Sequence, residues 1–195
     1  MKVIIVGGVA GGATAAARLR RLDESAEITI IERSGYISYA NCGLPYYIGG
    51  VITRKEDLTL QTPESFWKRF RIQARVHQEV IRIRREEKKV QIRDLKTGET
   101  YEEGYDKLLL SPGASAVKPA VFGVEQEGVF TLRTVEDTWR IREWIEEKKP
   151  KRAAVIGGGF IGLEMLENLL GLGIRTTLLQ KSDQVMPPLD YDMAC

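Results

Sequence analysis

The 195-residue sequence predicts an α/β fold with a parallel sheet, and three observations lead to that prediction. Residues 3–22 read as a buried strand, a glycine-rich turn and a helix, in that order, and residues 152–172 repeat the pattern. A third apolar strand within residues 105–114 also runs into a glycine turn. Strands and helices that alternate in this way are typical of a three-layer fold.

Composition is that of an ordinary globular protein, with 43% apolar and 29% charged residues and a net charge of +2. This balance gives no general attraction to nucleic acid, and we expect no such partner. The apolar run Val3–Val6 is too short for a signal peptide or a membrane span, so we expect no membrane association and a cytoplasmic location. The two cysteines, Cys42 and Cys195, lie far apart, and the single histidine, His77, leaves no Cys/His metal cluster.

The first repeated unit resembles a dinucleotide-binding motif. Its strand Val3–Val6 leads into a turn and then into a helix predicted over Ala13–Leu22. Gly7 and Gly12 match the first and third glycines of G-x-G-x-x-G, but Val9 stands at the middle position.

The strand that follows strengthens this interpretation. It is predicted over Glu27–Ile31 and ends at Glu32, twenty residues after Gly12, where a carboxylate accepts hydrogen bonds from ribose hydroxyls. A glycine-rich turn in some other α/β fold is the alternative.

The second unit carries all three motif glycines, as Gly157, Gly159 and Gly162. A helix is predicted over Leu163–Leu172 and a strand over Ile174–Leu179. At the ribose position stands Gln180 instead of an acid, followed by Lys181. A neutral amide does not repel a 2′-phosphate and a lysine attracts one, which favours NADPH or the use of both coenzymes.

Between the two units the pattern changes. A helix is predicted over Pro63–Phe70, with Thr62 as its N-cap. The segments 76–84, 89–94 and 99–102 predict an antiparallel meander inserted into the α/β unit, with His77 in a structural role. Thr134 with Asp137 three residues on predicts the start of a helix that ends before Pro150.

The candidate reactive group is the sulfur of Cys42, in the stretch Ser38-Tyr-Ala-Asn-Cys42-Gly-Leu-Pro45. Pro45 suits the first turn of a helix, so a helix is expected to begin near Cys42 and to favour the thiolate. Ser38 and Asn41 add polar groups, and Tyr46 with Tyr47 offers aromatic walls. The alternative is a small buried core residue.

A basic face is predicted on the first helix. Thr14, Arg18 and Arg21 are spaced so that they share one side. Such a stripe indicates either a solvated surface or a site for a phosphate-rich substrate.

Together these motifs resemble the N-terminal part of the flavin-dependent pyridine nucleotide-disulfide oxidoreductases, most closely the coenzyme A-disulfide reductase branch. The resemblance covers the whole chain. It implies a Rossmann-like FAD-binding three-layer fold with an inserted antiparallel meander, followed by the first part of a second Rossmann NAD(P)-binding unit. The expected domains are an incomplete FAD-binding domain over 1–114, a connection over 115–149 and the start of the NAD(P)-binding domain over 150–195.

The resemblance also implies cofactors and their contacts. The first unit is expected to bind FAD and the second NADPH or NADH, with no metal. The FAD residues are expected to be Gly7, Val9, Ala10, Gly12, Glu32, Arg33, Val80, Ser111 and Gly113. The nicotinamide coenzyme residues are expected to be Gly157, Gly159, Phe160, Ile161, Gly162, Glu164, Gln180 and Lys181.

By the same resemblance Cys42 is the single redox-active cysteine and alternates between a thiol and a mixed disulfide with coenzyme A. The implied substrate is coenzyme A disulfide or a related persulfide or polysulfide. Its contacts are expected to be Thr14, Arg18, Arg21, Ser38, Asn41 and Arg71. Phe70 stands where the family has a basic residue, flanked by Arg69 and Arg71.

Two alternatives stay open at this point. NADH oxidases and peroxidases of the same family keep the cysteine as a sulfenic acid and place a histidine where this chain has Ala10, so we rank that chemistry second. The family's remaining flavin-binding segment and its C-terminal dimerisation domain are also expected to be missing here. A homodimer is therefore expected of the full-length enzyme, and this chain could be an inactive nucleotide-binding fragment.

Overall fold

The structure, a computed structural model, describes residues 1–194, so Cys195 lies outside the described part. The chain forms two compact units. The first comprises Met1–Tyr39 and Thr59–Ser115, and the second comprises Ala40–Leu58 and the residues from Ala116 onward. Residues 40–58, which the sequence prediction placed in the FAD-binding domain, thus pack with the second unit.

The secondary structure alternates as expected. The strands are β1 Lys2–Val6, β2 Glu27–Glu32, β3 Ile37–Tyr39, β4 Thr59–Gln61, β5 Gln73–Val76, β6 Gln78–Arg84, β7 Lys89–Asp94, β8 Thr100–Gly104, β9 Lys107–Leu110, β10 Arg152–Ile156 and β11 Arg175–Leu179. The α-helices are α1 Ala10–Leu22, α2 Leu44–Ile48, α3 Pro63–Phe70, α4 Val135–Lys148, α5 Phe160–Gly171 and α6 Tyr191–Ala194. Two 3-10 helices span Asn41–Gly43 and Lys55–Asp57.

A parallel sheet forms the middle layer of the first unit, in the order β5-β2-β1-β9. The two central strands, β1 and β2, are short runs of β-branched residues, which suit a sheet that is covered on both faces. On one face, α1 and α3 cover a core that includes Ile5, Ile30 and Phe66. The opposite face packs Ile4 and Ile31 against Val90 and Ile92 of the meander β6-β7-β8. The predicted three-layer α/β fold is confirmed.

An ionic cluster ties the layers of the first unit together. Glu103 of β8 accepts from Arg75 of β5 and pairs with Lys2 of β1, whose Nζ lies 3.0 Å from Oε1. The Glu103 side chain is only 11% exposed. Burial acts against ionisation, but the hydrogen bonds from Arg75 and Lys2 outweigh it and lower the pKa of Glu103 from its usual 4.5.

Glu103→Gln is expected to destabilise the protein at pH 7 by about 1–3 kcal/mol, because two cations lose a half-buried anion. Since the folded-state pKa is lowered, this contribution is complete above the unfolded-state pKa and disappears as the pH falls through the folded-state value. Urea unfolding at pH 7 and at acidic pH measures both effects.

The matched control is Glu102→Gln on the same strand. Glu102 pairs with Arg84 and Lys89, and its side chain is 34% exposed, so its loss is expected to change stability by less than about 1 kcal/mol. A Glu103→Gln effect that stayed constant with pH would contradict this assignment.

The second unit contains the parallel pair β10–β11, with α5 between these strands in the chain. Its core joins Ile48 of α2 to Ile141 of α4 and Met165 and Leu169 of α5. The short helix α2 is therefore buried against two longer helices of its own unit.

Several predicted boundaries need correction. Helices α1 and α5 begin at Ala10 and Phe160, each three residues before the predicted start, because the last motif glycines are already helical. The predicted strand 76–84 is wrong as a single element. His77 has a positive φ of 56° and separates β5, in the parallel sheet, from β6, in the meander. The structural role expected for His77 agrees with its hydrogen bonds, from its amide to the Ser34 carbonyl and from the Leu95 amide to its own carbonyl.

Helix α3 spans Pro63–Phe70 as predicted, and Thr62 caps it. Among residues 1–194, none of the helices has the length and apolar character needed to cross a bilayer.

Candidate functional site

Each glycine turn lets a helix pass very close to the preceding backbone. A Cβ on Gly12 would lie 1.8 Å from the Gly7 carbonyl oxygen, and a Cβ on Gly162 would lie 1.8 Å from that of Gly157. Any side chain at either position would push the helix away from the strand. The two turns are therefore built alike, as their sequences predict.

The valine in the first motif does not require a positive φ. Val9 has φ −95°, and Gly159 at the equivalent place in the second turn has φ −83°. Neither residue needs the left-handed conformation that favours glycine, so a side chain is tolerated at this position.

The starts of α1 and α5 differ from those of the other long helices. Neither has a side-chain cap or an acidic residue in its first turn. By contrast, α3 and α4 both carry complete capping boxes, formed by Thr62 with Ser65 and by Thr134 with Asp137. The first amides of α1 and α5 are thus left to an anionic group, and a pyrophosphate fits both places.

The side chain that ends the following strand holds each turn. Glu32 is 8% exposed, and its carboxylate accepts from the Gly8 amide at 2.7 Å and from the Ser34 amide at 2.8 Å. Gln180 takes the same place in the second unit, where its Oε1 accepts from the Gly158 amide at 2.8 Å. Both residues contact the turn directly, a contact that the motif spacing did not reveal.

The two side chains leave different groups for a ligand. A carboxylate has about four acceptor positions, so Glu32 retains acceptors beyond these two bonds. Gly158 occupies one of the two acceptor positions of the Gln180 oxygen, and Nε2 donates one of its two N–H groups to Ser182, so an N–H donor remains. Lys181 beside it is exposed. The first turn offers acceptors at this position, whereas the second offers donors and a positive charge.

The other predicted FAD residues are all in the first unit. The Ser111 amide donates to the Val6 carbonyl at 2.8 Å, and Gly113 follows with a positive φ of 72°. Arg33 is exposed and forms an ion pair with Glu79, with 3.7 Å between Nη1 and Oε1. Val80 is half-buried and packs on the core under the meander.

The other predicted coenzyme residues are in the second unit. Phe160 and Ile161 begin α5, and their side chains are exposed. Glu164 is half-buried, and its carbonyl accepts from the Asn168 side chain at 2.8 Å.

Cys42 is free and exposed, so the alternative of a buried core cysteine is wrong. It lies in the 3-10 helix Asn41–Gly43, directly before α2, which has Pro45 in its first turn. The predicted helix start beside Cys42 is thus confirmed, although α2 has only five residues.

Contacts with α4 and α5 hold this short helix. Arg142 of α4 donates to the Ile48 carbonyl at 2.8 Å. Tyr47, expected as an aromatic wall, packs edge to face on Trp139 of α4, with 4.7 Å between ring centroids. Gly49 packs against Asn168 of α5 so tightly that an added Cβ would lie 2.0 Å from Oδ1. The position of Cys42 in the second unit therefore depends on these two helices.

Gly49→Ala is expected to destabilise the protein by about 1–3 kcal/mol, because the new methyl group would overlap the buried Asn168 side chain. Thermal and urea unfolding measure this change.

Gly171→Ala is the matched control, since nothing lies within 4 Å of its added Cβ at the end of α5. It is expected to be neutral or stabilising by up to about 1 kcal/mol. Equal losses in the two variants would contradict the packing argument.

One contact of Asn41, the residue before Cys42, was missed by the sequence analysis. Arg133 donates from Nη1 to the Asn41 side-chain oxygen at 3.2 Å. The two residues are 92 positions apart, and no local motif links them.

The predicted substrate residues are divided between the units. Thr14, Arg18 and Arg21 are all exposed on α1 in the first unit, as their spacing predicts. Ser38 is also in the first unit, with a positive φ of 46° and its amide bonded to the Gly8 carbonyl. Asn41 belongs to the second unit together with Cys42.

Arg71 lies elsewhere in the first unit. It follows the last residue of α3, and its guanidinium carbon lies 5.6 Å from the centroid of the Trp67 ring. Its carbonyl accepts a hydrogen bond from the Arg20 side chain of α1. Arg20 and Arg18 project about 200° apart around the helix. Arg71 is therefore bonded to a side of α1 different from the one that carries Thr14, Arg18 and Arg21. Arg69 stacks on Phe70.

Comparison with known proteins identifies the family. Residues 1–194 match the pyridine nucleotide-disulphide oxidoreductases. The chain belongs to this family. It is 43% identical to the coenzyme A disulfide reductase of Staphylococcus haemolyticus over 192 residues, which are 98% of this chain and 43% of that protein. The chain thus spans less than half the length of that relative.

Solved structures of family members are similar to this fold. The reduced CoADR-RHD of Bacillus anthracis is 57% identical, with a TM-score of 0.96 over 99% of this chain and 35% of its own. The NAD-dependent persulfide reductase of A. fulgidus is 39% identical, with a TM-score of 0.93 over 100% of this chain and 36% of its own. The Rossmann-type architecture predicted from the sequence is confirmed.

Proposed function

We propose that this chain provides the flavin-binding turn, the nicotinamide-binding turn and the redox cysteine of a reductase for coenzyme A disulfide or a related persulfide or polysulfide. The observation that carries the proposal is the free, exposed Cys42 at the start of α2, in a chain of the disulfide oxidoreductase family. The similarity to a coenzyme A disulfide reductase and a persulfide reductase supports a small sulfur-containing substrate.

The two glycine turns suit the two cofactors of this reaction. FAD fits the first turn, where the start of α1 would hold the pyrophosphate and Glu32 would accept from the ribose hydroxyls. NADPH or NADH fits the second turn at the start of α5. When bound, these cofactors supply the two electrons that the cleavage of a disulfide requires.

Cys42 carries the sulfur chemistry in two balanced steps. Its thiolate attacks one sulfur of the substrate disulfide, forms a mixed disulfide and releases the other half as a thiolate. Cleavage of the mixed disulfide needs two electrons and one proton, which the bound cofactors would supply as a hydride equivalent, and it would return Cys42 as the thiolate and release the second half of the substrate as a thiol. Because the substrate provides the second thiol, the chain needs no second cysteine.

The exposed face of α1 suits the phosphates of coenzyme A. Arg18 and Arg21 provide two cations on one side of the helix, and Thr14 adds a hydroxyl. Ser38 and Asn41 complete the proposed substrate contacts. Arg71 is the weakest member of the set, since its guanidinium stacks on Trp67.

Cys42→Ser, in a flavin-loaded protein that contains residues 1–195, is expected to reduce coenzyme A disulfide turnover about a thousandfold or more while flavin stays bound. Steady-state NAD(P)H oxidation and flavin absorbance measure the two effects. The matched control, Cys195→Ser, removes the other thiol of the sequence and is expected to keep full activity. Turnover retained in Cys42→Ser would refute the proposed role.

We further propose that the second turn prefers NADPH. The oxygen of Gln180 is bonded to Gly158, which leaves donor groups and the exposed Lys181 for a 2′-phosphate. Gln180→Glu is expected to shift the ratio of kcat/KM for NADPH over NADH about tenfold or more towards NADH, since a carboxylate repels the phosphate and accepts from a ribose hydroxyl.

Gln184→Glu introduces the same charge four residues further along, where the side chain bonds to the Leu189 carbonyl instead of the turn. The coenzyme ratio of this control is expected to stay as in the unmodified protein. If Gln180→Glu left the ratio unchanged, the assignment of Gln180 would be wrong.

Peroxide or oxygen chemistry ranks below disulfide reduction, because this chain has Ala10 where the family's oxidases and peroxidases place a histidine, and alanine provides no acid or base.

A second candidate follows from the length of the chain. Ile156 and Leu179 at the ends of β10 and β11 are 72% and 52% exposed, as expected of a nucleotide-binding fragment without catalysis. A purified chain that is yellow and bleaches with NADPH supports the enzyme, and a colourless chain supports the fragment. The same proposal includes assembly of the complete enzyme as a cytoplasmic homodimer.

A further inference from the structure

The hydrogen bond between Arg133 and Asn41 fixes the orientation of the side chain next to the proposed redox cysteine. Arg133 has only donor groups, so the Asn41 amide must turn its oxygen towards the guanidinium. The amide nitrogen of Asn41 then faces the other way. Among residues 1–194 this nitrogen donates to no protein acceptor. A pair of N–H donors is thus left free one residue before Cys42.

Arg133 is itself held firmly. Its backbone amide donates to Asp137 Oδ2 at 3.0 Å, and the same carboxylate caps α4 through Thr134. Asp137 is only 8% exposed. The start of α4 therefore anchors the arginine from its main chain, while the side chain reaches Asn41.

The charge of Arg133 is not neutralised by a protein carboxylate. Within the described part of the chain, its guanidinium forms no ion pair, unlike those of Arg140 and Arg142 in α4. Both functions of Arg133, as a donor and as a cation, are therefore directed at the Asn41 side chain.

We propose that Arg133 is a positioning residue for the Cys42 chemistry, and this rests on the proposed function. By binding the Asn41 oxygen it keeps the amide N–H donors directed at an anionic sulfur beside Cys42. Each step of disulfide exchange leaves a thiolate at this place, and a hydrogen bond to a charged acceptor is stronger than a neutral one. The role is carried by the amide donor, and the arginine acts through it.

The test measures a single exchange step without flavin or nicotinamide. The probe is a neutral small disulfide that reacts with reduced Cys42 at pH 7, and Cys195 is replaced by serine in every variant. Because a hydrogen bond to a charged sulfur is stronger than a neutral one, its loss is expected to slow this exchange about threefold or more. This decrease is expected for both Arg133→Met and Asn41→Ala.

Three further variants separate positioning from a merely structural role. The double variant of Arg133→Met with Asn41→Ala is expected to be no slower than either single variant, because the two residues act as one unit. Arg133→Lys is expected to restore at least half of the lost rate, since a lysine also donates to the Asn41 oxygen. Asn41→Asp keeps the bond to Arg133 but removes the amide donors, and it is expected to be at least as slow as Asn41→Ala.

The matched control is Arg140→Met in α4, because Arg140 is exposed, pairs with Asp137 and is not bonded to Asn41. Its exchange rate is expected to equal that of the starting protein. Unchanged rates in Arg133→Met, multiplicative effects in the double variant or a normal rate in Asn41→Asp would each overturn the inference. None of these outcomes depends on whether Cys42→Ser abolishes turnover, so the inference and the proposed function fail separately.

Discussion

The same kind of backbone-to-side-chain hydrogen bond organises each of the two glycine turns of this protein. In each unit the amide of the second residue of the turn donates to the side chain that ends the next strand, from Gly8 to Glu32 and from Gly158 to Gln180. The bond ties turn and strand into one rigid edge at the start of the helix. What varies is the chemistry left over, because a carboxylate retains acceptors whereas an amide retains donors. The same geometry thus presents different hydrogen-bonding groups in the two units.

Cys42 depends on a different kind of support. A helix of five residues is not stable by itself, and α2 is positioned by packing against α4 and α5. Arg142 bonds to its last carbonyl, and Asn168 fills the space beside Gly49. The exposure of Cys42 is compatible with this burial because the sulfur lies in the preceding 3-10 turn, outside the packed face.

Local chemistry explains which parts of this structure could be predicted from the sequence. The glycine turns that follow apolar strands are local patterns, and so is Thr62 before Pro63. The parallel sheet and the bounds of α3 could therefore be predicted from the sequence. The break at His77 could not be predicted, because the alternation of apolar and polar residues continues through this position. The positive φ of His77 turns the chain into another sheet. The early starts of α1 and α5 were also missed, because glycines were taken to end the turn although they begin the helix.

The candidate site divides in the same way. Cys42 and the two turns carry recognisable motifs, whereas Arg133 reaches Asn41 across 92 residues and leaves no local pattern. The structural grouping of residues 40–58 with the second unit likewise rests on contacts between residues far apart in the sequence. Such contacts are determined by tertiary packing, which the spacing and periodicity of residues in the sequence do not predict.

The polypeptide passes between its two units three times, after Tyr39, after Leu58 and after Ser115. No single cut can release one unit intact, so dissection by truncation is unsuitable for this protein. A fragment ending at Ser115 would contain Cys42 but lack Arg142, which donates to the Ile48 carbonyl from 94 positions further along the chain. During synthesis the segment that contains Cys42 also leaves the ribosome before α4 and α5 have been made. Until these helices fold, the thiol belongs to a segment without its packing partners.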